Sequence, residues 1–125
     1  NVIQLLDKGV ALYEKGKGND QEVTYIVLEI AQGGELFDFI AQSGRFSEPL
    51  ARHFFYEFLL GIDHCHSNGI THRDLKPENI LIGLDGYILL ADFGLAKINE
   101  DLGDGTEPNS FCGTPEYIAP EILLN

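Results

Sequence analysis

The chain has 125 residues and a formal net charge of −12. That length is enough for one small domain with a core of its own. The charge argues against nucleic acid as a partner and favours cationic partners such as basic peptides. Cys65 and Cys112 show no spacing typical of a zinc site or a disulfide framework, which indicates a reduced intracellular protein, cytoplasmic or nuclear. No apolar run approaches the ~20 residues that a transmembrane helix needs, so we expect no membrane segment.

The first third of the chain predicts two strands and a short helix. Residues 2–13 and 23–30 are rich in Val, Ile, Leu and Tyr, which favours strands. Residues 14–22 between them are polar and contain glycine, so they predict a solvent-exposed loop. A glycine pair ends the second strand, and residues 35–42 then predict a helix.

The middle of the chain predicts a long helix over residues 48–66, with Ser47 as its N-cap. Its apolar residues recur at helical spacing, and an Asn-Gly pair follows as a C-terminal stop signal. Residues 80–82 and 87–90 flank an Asp-Gly turn and predict a β-hairpin. Residues 99–109 are acidic and nearly devoid of large apolar side chains, which predicts a mobile loop.

A polar run over residues 72–79, with the sequence HRDLKPEN, brings an Asp, a Lys and an Asn into one short loop. The tripeptide D-F-G follows at residues 92–94, and GTPEYIAPE follows at residues 113–121. A single D-F-G is weak, but this order of three motifs is the protein-kinase order. The chain resembles the eukaryotic protein kinases, and Lys76 resembles the serine/threonine branch. The stretch GGELFDFI is similar to calmodulin-dependent-type kinases and FCGTPEY to cyclic-nucleotide-dependent ones, so the subgroup stays open.

The resemblance implies an α+β fold that is part of a two-lobed protein kinase domain. Residues 1–30 would form the end of the N-lobe sheet and the hinge. Residues 31–125 would form the first half of the helical C-lobe, through the catalytic and activation loops. Because the family's catalytic domain has ~250–300 residues, we expect the chain to be the central part of a longer protein and inactive alone. The glycine-rich loop, with its partner lysine and glutamate, would then precede Asn1.

The implied reaction is transfer of the γ-phosphate of ATP to serine or threonine hydroxyls of protein substrates. Among the catalytic residues, Asp74 would accept the hydroxyl proton and Lys76 would neutralise charge on the transferring group. Asn79, the third catalytic candidate, would bind Mg²⁺ together with Asp92. Magnesium prefers one or two protein oxygen ligands combined with substrate phosphates.

The residues that would bind the nucleotide are Leu28, Glu29, Ala31, Glu35, Leu81 and Asp92. Glu29 and Ala31 would meet the adenine edge through backbone groups, because residues 25–31 resemble the kinase hinge. Leu28 would guard the back of the adenine pocket and Leu81 would lie beneath the ring. Without the downstream motifs, the same segment would fit an ordinary edge strand and turn.

The residues that would contact the protein substrate are Glu35, Glu78 and Thr114. Glu35 and Glu78 resemble positions that hold an arginine ahead of the acceptor site, which together with the net charge predicts basic peptide substrates. Glu35 would alternatively reach the ribose of the nucleotide. Thr114 resembles the residue that contacts the catalytic Asp and helps to select serine or threonine acceptors.

Ser110 resembles the activation-loop phosphorylation site of many relatives, which an upstream activating kinase would modify. A phosphate there would pair with Arg73 and order the acidic loop. Thr106 is a second candidate, and an unmodified loop serine is the alternative.

Other functions fit parts of the pattern. A pseudokinase scaffold would share the fold, although the catalytic groups in view are intact. A metal-dependent hydrolase would use Asp74, Asp92 and His72 but leaves the third motif unexplained, and a small-molecule kinase would not need that motif. His72 favours a packed role instead, because His72, Phe93 and Leu5 match the family's stacked internal spine.

Overall fold

The computed structural model of the chain describes residues 1–16, 20–98 and 112–124. In chain order its helices and strands are β1 (Leu5–Tyr13), β2 (Gln21–Leu28), β3 (Gly34–Glu35), α1 (Leu36–Ser43), α2 (Glu48–Ser67), β4 (Ile70–Thr71), β5 (Ile80–Ile82), β6 (Ile88–Leu90), β7 (Lys97–Ile98) and α3 (Pro120–Leu123). Short 3-10 turns occur at Pro77–Asn79, Phe93–Leu95 and Pro115–Tyr117. This mixture confirms the predicted α+β class. In the described ranges, no helix is both long and apolar enough to cross a bilayer.

β1 and β2 form an antiparallel hairpin whose register starts with Leu5 opposite Leu28. The two predicted strands are confirmed, but the expectation that the first begins at residue 2 is wrong. Val2 instead forms an isolated parallel bridge with Leu90 at the end of β6. Val2 and Ile3 are therefore attached to β6 rather than to the hairpin.

The two longer helices lie close to their predicted positions. α2 begins after Ser47 as predicted, although the Ser47 side chain makes no capping hydrogen bond. The helix ends at Ser67, and Gly69 with φ of 69° takes the left-handed conformation that follows many helix ends. α1 begins after Glu35 and ends before Gly44, which is also left-handed with φ of 72°.

The buried core joins α2 to a small antiparallel sheet with strand order β3-β5-β6. Among the described residues, the buried hydrophobic side chains are Cys65, Ile80, Ile82, Ile88, Leu90 and Ala91. Gly61 lets the helix approach this sheet closely, because a Cβ there would lie 2.7 Å from the Asn1 carbonyl and 3.0 Å from the Leu90 side chain. The close contact also fixes the first residues of the chain between helix and sheet.

The hairpin of β5 and β6 brings two polar loops to one edge of the sheet. Ile80 pairs with Leu90, so the start of β5 lies beside the end of β6. Asn79 immediately precedes β5 and Ala91 immediately follows β6, and the Ala91 N–H donates to the Asn79 carbonyl at 2.9 Å. The HRDLKPEN and D-F-G loops therefore leave the sheet side by side.

Candidate active site

The loop over residues 72–79 connects β4 to β5 and turns sharply at Arg73. Arg73 has φ of 68°, which is uncommon for a residue with a side chain. Its Nε donates to the Leu95 carbonyl at 2.6 Å, and this bond ties the loop to the turn that follows Asp92. The two motif loops are thus joined by side-chain as well as backbone bonds.

Asp74 lies at the centre of a hydrogen-bonded cluster with Lys76, Asn79 and Thr114. Thr114 donates to Asp74 Oδ1 from its backbone nitrogen at 2.9 Å and from its hydroxyl at 2.7 Å. Lys76 Nζ lies 2.9 Å from Asp74 Oδ2 and donates to the Thr114 hydroxyl at 2.7 Å. The Thr114 hydroxyl therefore donates to Asp74 and accepts from Lys76, so it acts as both a donor and an acceptor.

Asn79 completes the cluster from the start of β5. Its side-chain nitrogen donates to the Asp74 carbonyl at 2.9 Å and to Asp74 Oδ2 at 3.1 Å. Because the amide nitrogen is used in this way, the amide oxygen is the Asn79 atom that could ligate a cation. The cluster thus combines catalytic candidates from one loop with Thr114, which lies 40 residues further along the chain.

The hydrogen bonds in the cluster shift two pKa values in opposite directions. The bond from Lys76, followed by the Thr114 hydroxyl bond, lowers the pKa of the Asp74 carboxyl below its ordinary value of 3.8. The bond to Asp74 raises the pKa of the Lys76 ammonium above 10.5, and the charges of Glu78 and Asp92 act in the same direction. Asp74 is therefore a carboxylate and Lys76 a cation at neutral pH.

Gly113 allows the segment carrying Thr114 to approach the loop. A Cβ at Gly113 would lie 2.9 Å from the Arg73 carbonyl, and its φ of 110° lies in a region that residues with side chains rarely adopt. In the sequence, Gly113 is visible only as the first residue of the GTPEYIAPE motif. A glycine directly before a candidate site residue was the available signal for a close backbone approach.

Asp92 lies at the start of the neighbouring loop, exposed to solvent. It has φ of 59°, and its Oδ1 accepts from the Gly94 N–H at 3.2 Å. Carboxylate and amide oxygens are the ligands that magnesium takes from proteins, so Asp92 and Asn79 supply a suitable donor set. The bond between Ala91 and Asn79 keeps the two residues at the same edge of the sheet.

His72 has the packed role that the sequence favoured. It is only 3% exposed, its Nε2 lies 2.9 Å from the Ala91 carbonyl, and its ring centroid lies 4.7 Å from that of Phe93. Leu5, the third predicted member of this stack, is 49% exposed. His72 is thus committed to the core, which leaves the hydrolase alternative without its histidine.

Apart from Asp92, the predicted nucleotide residues fall into two groups. Glu35 of β3 pairs directly with Leu81 of β5, so the structure brings these two together. Leu28 ends β2 and is 45% exposed, and Glu29 and Ala31 follow on the segment that leads to β3. The Gly34 N–H donates to the Ala31 carbonyl at 3.3 Å, which connects this second group to β3.

The acidic candidates for substrate contact lie on neighbouring elements. Glu35 and Asp38 line a cleft of about 400 Å³ next to Gly33 and Gly34. Glu78 lies in the 3-10 turn against which α1 and β3 pack. One Glu78 carboxylate oxygen, Oε2, is buried without a hydrogen-bond partner in the part of the chain that the structure describes. Asp38 was not among the predicted substrate residues, although its position one helical turn after Glu35 can be seen in the sequence.

Three predictions fall outside the described residues. Ser110 and Thr106, the candidate phosphorylation sites, lie in the range 99–111, as does the predicted acidic loop. The predicted loop covers residues 99–109, so it contains Thr106 and ends directly before Ser110. The loop and the two sites stay predictions from the sequence.

A family model described as the protein kinase domain matches residues 2–125 of the chain. The chain belongs to the protein kinase family. Among the chain's curated relatives, CBL-interacting serine/threonine-protein kinase 9 of Arabidopsis thaliana is 48% identical over 99 residues, which is 79% of this chain and 22% of the relative. CBL-interacting serine/threonine-protein kinase 8 of the same species is 50% identical over 99 residues, with 79% and 22% covered. CBL-interacting protein kinase 32 of Oryza sativa subsp. japonica is 48% identical over 99 residues, with 79% and 23% covered.

The chain spans about a fifth of the length of these relatives, between 22% and 23%. The predicted family is confirmed, and the relatives' names place them among protein kinases, two of them serine/threonine kinases by name. Protein kinase domains in general use ATP and Mg²⁺.

Proposed function

We propose that this chain supplies the catalytic loop, the metal-binding Asp and the hinge of a serine/threonine protein kinase. Residues 1–30 would be the end of its N-lobe strands and the hinge, and residues 31–125 the first half of its C-lobe. The observation that carries the proposal is the Thr114 hydroxyl, which bonds Asp74 and Lys76 at once. This contact joins the loop expected to do the chemistry to the segment expected to receive the substrate.

In the proposed reaction, Asp74 orients the hydroxyl of a substrate serine or threonine and accepts its proton. The low pKa of Asp74 keeps it ionised, so it can accept a hydrogen bond from that hydroxyl. Lys76 provides a fixed positive charge beside the point of transfer. Mg²⁺, when bound, supplies neutralisation of the ATP phosphate charge, and Asn79 and Asp92 are the residues that would hold it.

The adenine of ATP is proposed to lie against the hinge. Backbone groups of Glu29 and Ala31 would bond its edge, Leu28 would close the back of the pocket, and Leu81 would lie below the ring. The pairing of Glu35 with Leu81 supports this arrangement, because it puts a carboxylate for the ribose hydroxyls next to the proposed floor of the adenine site.

Basic peptides are the proposed substrate class. The buried Glu78 Oε2 without a partner in the described ranges favours a cationic group there, since a buried carboxylate oxygen is costly unless paired. The acidic cleft with Glu35 and Asp38 and the net charge of −12 also favour a basic peptide.

An upstream kinase is proposed to phosphorylate Ser110, and Arg73 would receive the phosphate through its terminal nitrogens. The two cysteines fit an intracellular protein, cytoplasmic or nuclear.

The experiment is a phosphorylation assay of the full-length protein with Mg-ATP and peptides that carry Ser, Thr or Tyr. We expect transfer to Ser and Thr, with Asp74→Asn reducing the rate by ~10²- to 10⁴-fold. Asp85→Asn, in the exposed turn between β5 and β6, is the matched control and should behave as wild type. The wild type should phosphorylate a peptide more slowly when the arginine ahead of its acceptor is replaced with glutamine. The Glu78→Gln variant should phosphorylate the two peptides at the same rate. Absence of transfer by the intact protein would favour a pseudokinase.

A further inference from the structure

The strand pairing beside the hinge departs from a regular ladder at one pair of residues, Gln4 and Glu29. In an antiparallel ladder, a hydrogen-bonded pair exchanges two backbone bonds, each N–H donating to the other residue's carbonyl. The Glu29 N–H donates to the Gln4 carbonyl at 3.0 Å, as expected. The Gln4 N–H instead donates to the Glu29 side chain, with 2.7 Å between N and Oε1. The Glu29 carboxylate thus occupies the place of its own main-chain carbonyl.

The geometry explains why the carboxylate is the preferred acceptor. A hydrogen bond from a backbone N–H to an ionised carboxylate is shorter and stronger than one to a neutral carbonyl, and the 2.7 Å distance fits this. The ladder is also irregular between Leu5 and Asp7, directly beside Gln4. The backbone at this end of the hairpin is therefore adapted to a side-chain partner.

The segment after Glu29 is fixed at its other end by backbone bonds. The Gly33 N–H donates to the Ile82 carbonyl at 2.8 Å, and a Cβ at Gly33 would lie 2.7 Å from the same oxygen. The hinge is thus attached to β5 by Gly33 and to the start of β1 by Glu29.

We propose that the Glu29 carboxylate positions the hinge for adenine. By accepting the Gln4 N–H, it releases the Glu29 main-chain carbonyl from the strand ladder and leaves that carbonyl for the 6-amino group of the base. The inference rests on the proposed kinase function and adds to it a role for the Glu29 side chain. Glu29 is in this respect a positioning residue, because its carboxylate acts on its own backbone and not on the nucleotide.

Removing the carboxylate gives the Gln4 N–H one remaining acceptor in the pair, the Glu29 carbonyl. That carbonyl would then be shared between the ladder and the adenine amino group. The loss of one such hydrogen bond lowers the binding affinity about fivefold. The affinity should fall only for nucleotides that carry the amino group.

The test compares equilibrium binding of ATP and of purine riboside triphosphate, which lacks the 6-amino group, to the full-length protein. Wild type should prefer ATP, and Glu29→Met, which keeps the side-chain length but has no oxygen, should lower that preference about fivefold. Glu29→Gln retains an amide oxygen as acceptor and should keep most of the preference. Glu22→Met, an exposed residue at the far end of the same hairpin, is the matched control and should equal wild type.

Equal weakening of both nucleotides in Glu29→Met would overturn the inference, because a general structural role does not distinguish the amino group. The ratio of two dissociation constants measured on one preparation does not depend on its folded fraction. If Glu29→Met does not fold, Glu29→Ser removes the acceptor by shortening the side chain and makes the same test. A wild-type protein that binds neither nucleotide would contradict the proposed kinase function itself, whereas one that binds both equally would contradict only the adenine contact.

Discussion

The hydroxyl of Thr114 holds together the two charged residues of the candidate site. It lies 2.7 Å from both Asp74 Oδ1 and Lys76 Nζ. Without it, Asp74 would keep its ion pair with Lys76 and its bond from the Thr114 backbone, but the three groups would lose their common bridge. The hydroxyl therefore orients the carboxylate and also contributes to the lowered pKa of Asp74.

Thr114→Val tests this role, because valine has the same shape and no hydroxyl. We expect kcat/KM for peptide phosphorylation to fall roughly 10- to 100-fold, the size of effect expected for hydrogen bonds to charged groups. The KM for ATP should change little, since the hydroxyl lies on the substrate side. Thr24→Val on the exposed part of β2 is the control. A Thr114→Val enzyme with unchanged kcat/KM would show that the bridge is not needed.

The pH dependence of the cluster follows from its pKa shifts. The pKa of Asp74 is lowered, so its stabilisation is complete above pH 3.8 and is lost as the pH falls through the lower folded value. The pKa of Lys76 is raised, so its contribution is complete below pH 10.5 and is lost as the pH rises through the higher folded value. The difference in thermal stability between wild type and Asp74→Asn should therefore be constant from about pH 5 to about pH 9. A difference that changes near neutral pH would contradict this assignment.

The motifs allowed the candidate residues to be predicted, but not all the contacts that hold them. Asp74, Lys76 and Asn79 lie within one loop, so their proximity follows from spacing alone. The bond from Asn1 to the buried Glu57 joins residues 56 positions apart, and the bond from Gln4 to Glu29 joins residues 25 apart. Such contacts depend on how the elements pack, and a single sequence carries no local signal for them.

At the scale of elements, long periodic segments were predictable and short ones were not. The long helix ends one residue from its predicted position, because its apolar spacing and Asn-Gly stop are local signals. β3, β4 and β7 have two residues each, too few for any alternation to be visible. The start of β1 was misplaced because Val2 pairs with Leu90, a tertiary contact that overrides strand propensity.

The contact between α2 and the sheet depends on Gly61. In an exposed helix interior, replacing glycine with alanine stabilises by up to about 1 kcal/mol. Here the new Cβ would lie 2.7 Å from the Asn1 carbonyl, so we expect Gly61→Ala to destabilise by about 1–3 kcal/mol through overpacking.

The measurement for Gly61→Ala is the midpoint of thermal unfolding of the full-length protein. The control is Gly83→Ala, where the nearest atoms would lie 3.6 Å from the new Cβ, an ordinary contact distance. A midpoint that rises in Gly61→Ala would mean that the helix does not approach the sheet this closely.

At the scale of the whole molecule, the described chain has a small core and large exposed apolar surfaces. In the hairpin of β1 and β2, Val10 is 62% and Ile26 is 65% exposed. Apolar patches of this kind mark surfaces that meet another part of a protein or a partner. Measurements of activity therefore belong to the full-length protein rather than to these 125 residues.

The most direct test of the central claim is phosphoryl transfer from Mg-ATP to a serine or threonine peptide by the full-length protein and by Asp92→Ala. The account predicts transfer by the wild type and its loss in Asp92→Ala, because the carboxylate proposed to bind magnesium is removed. Asp63→Ala, an exposed aspartate on α2, should retain activity. Transfer that persists unchanged in Asp92→Ala would contradict the proposed centre.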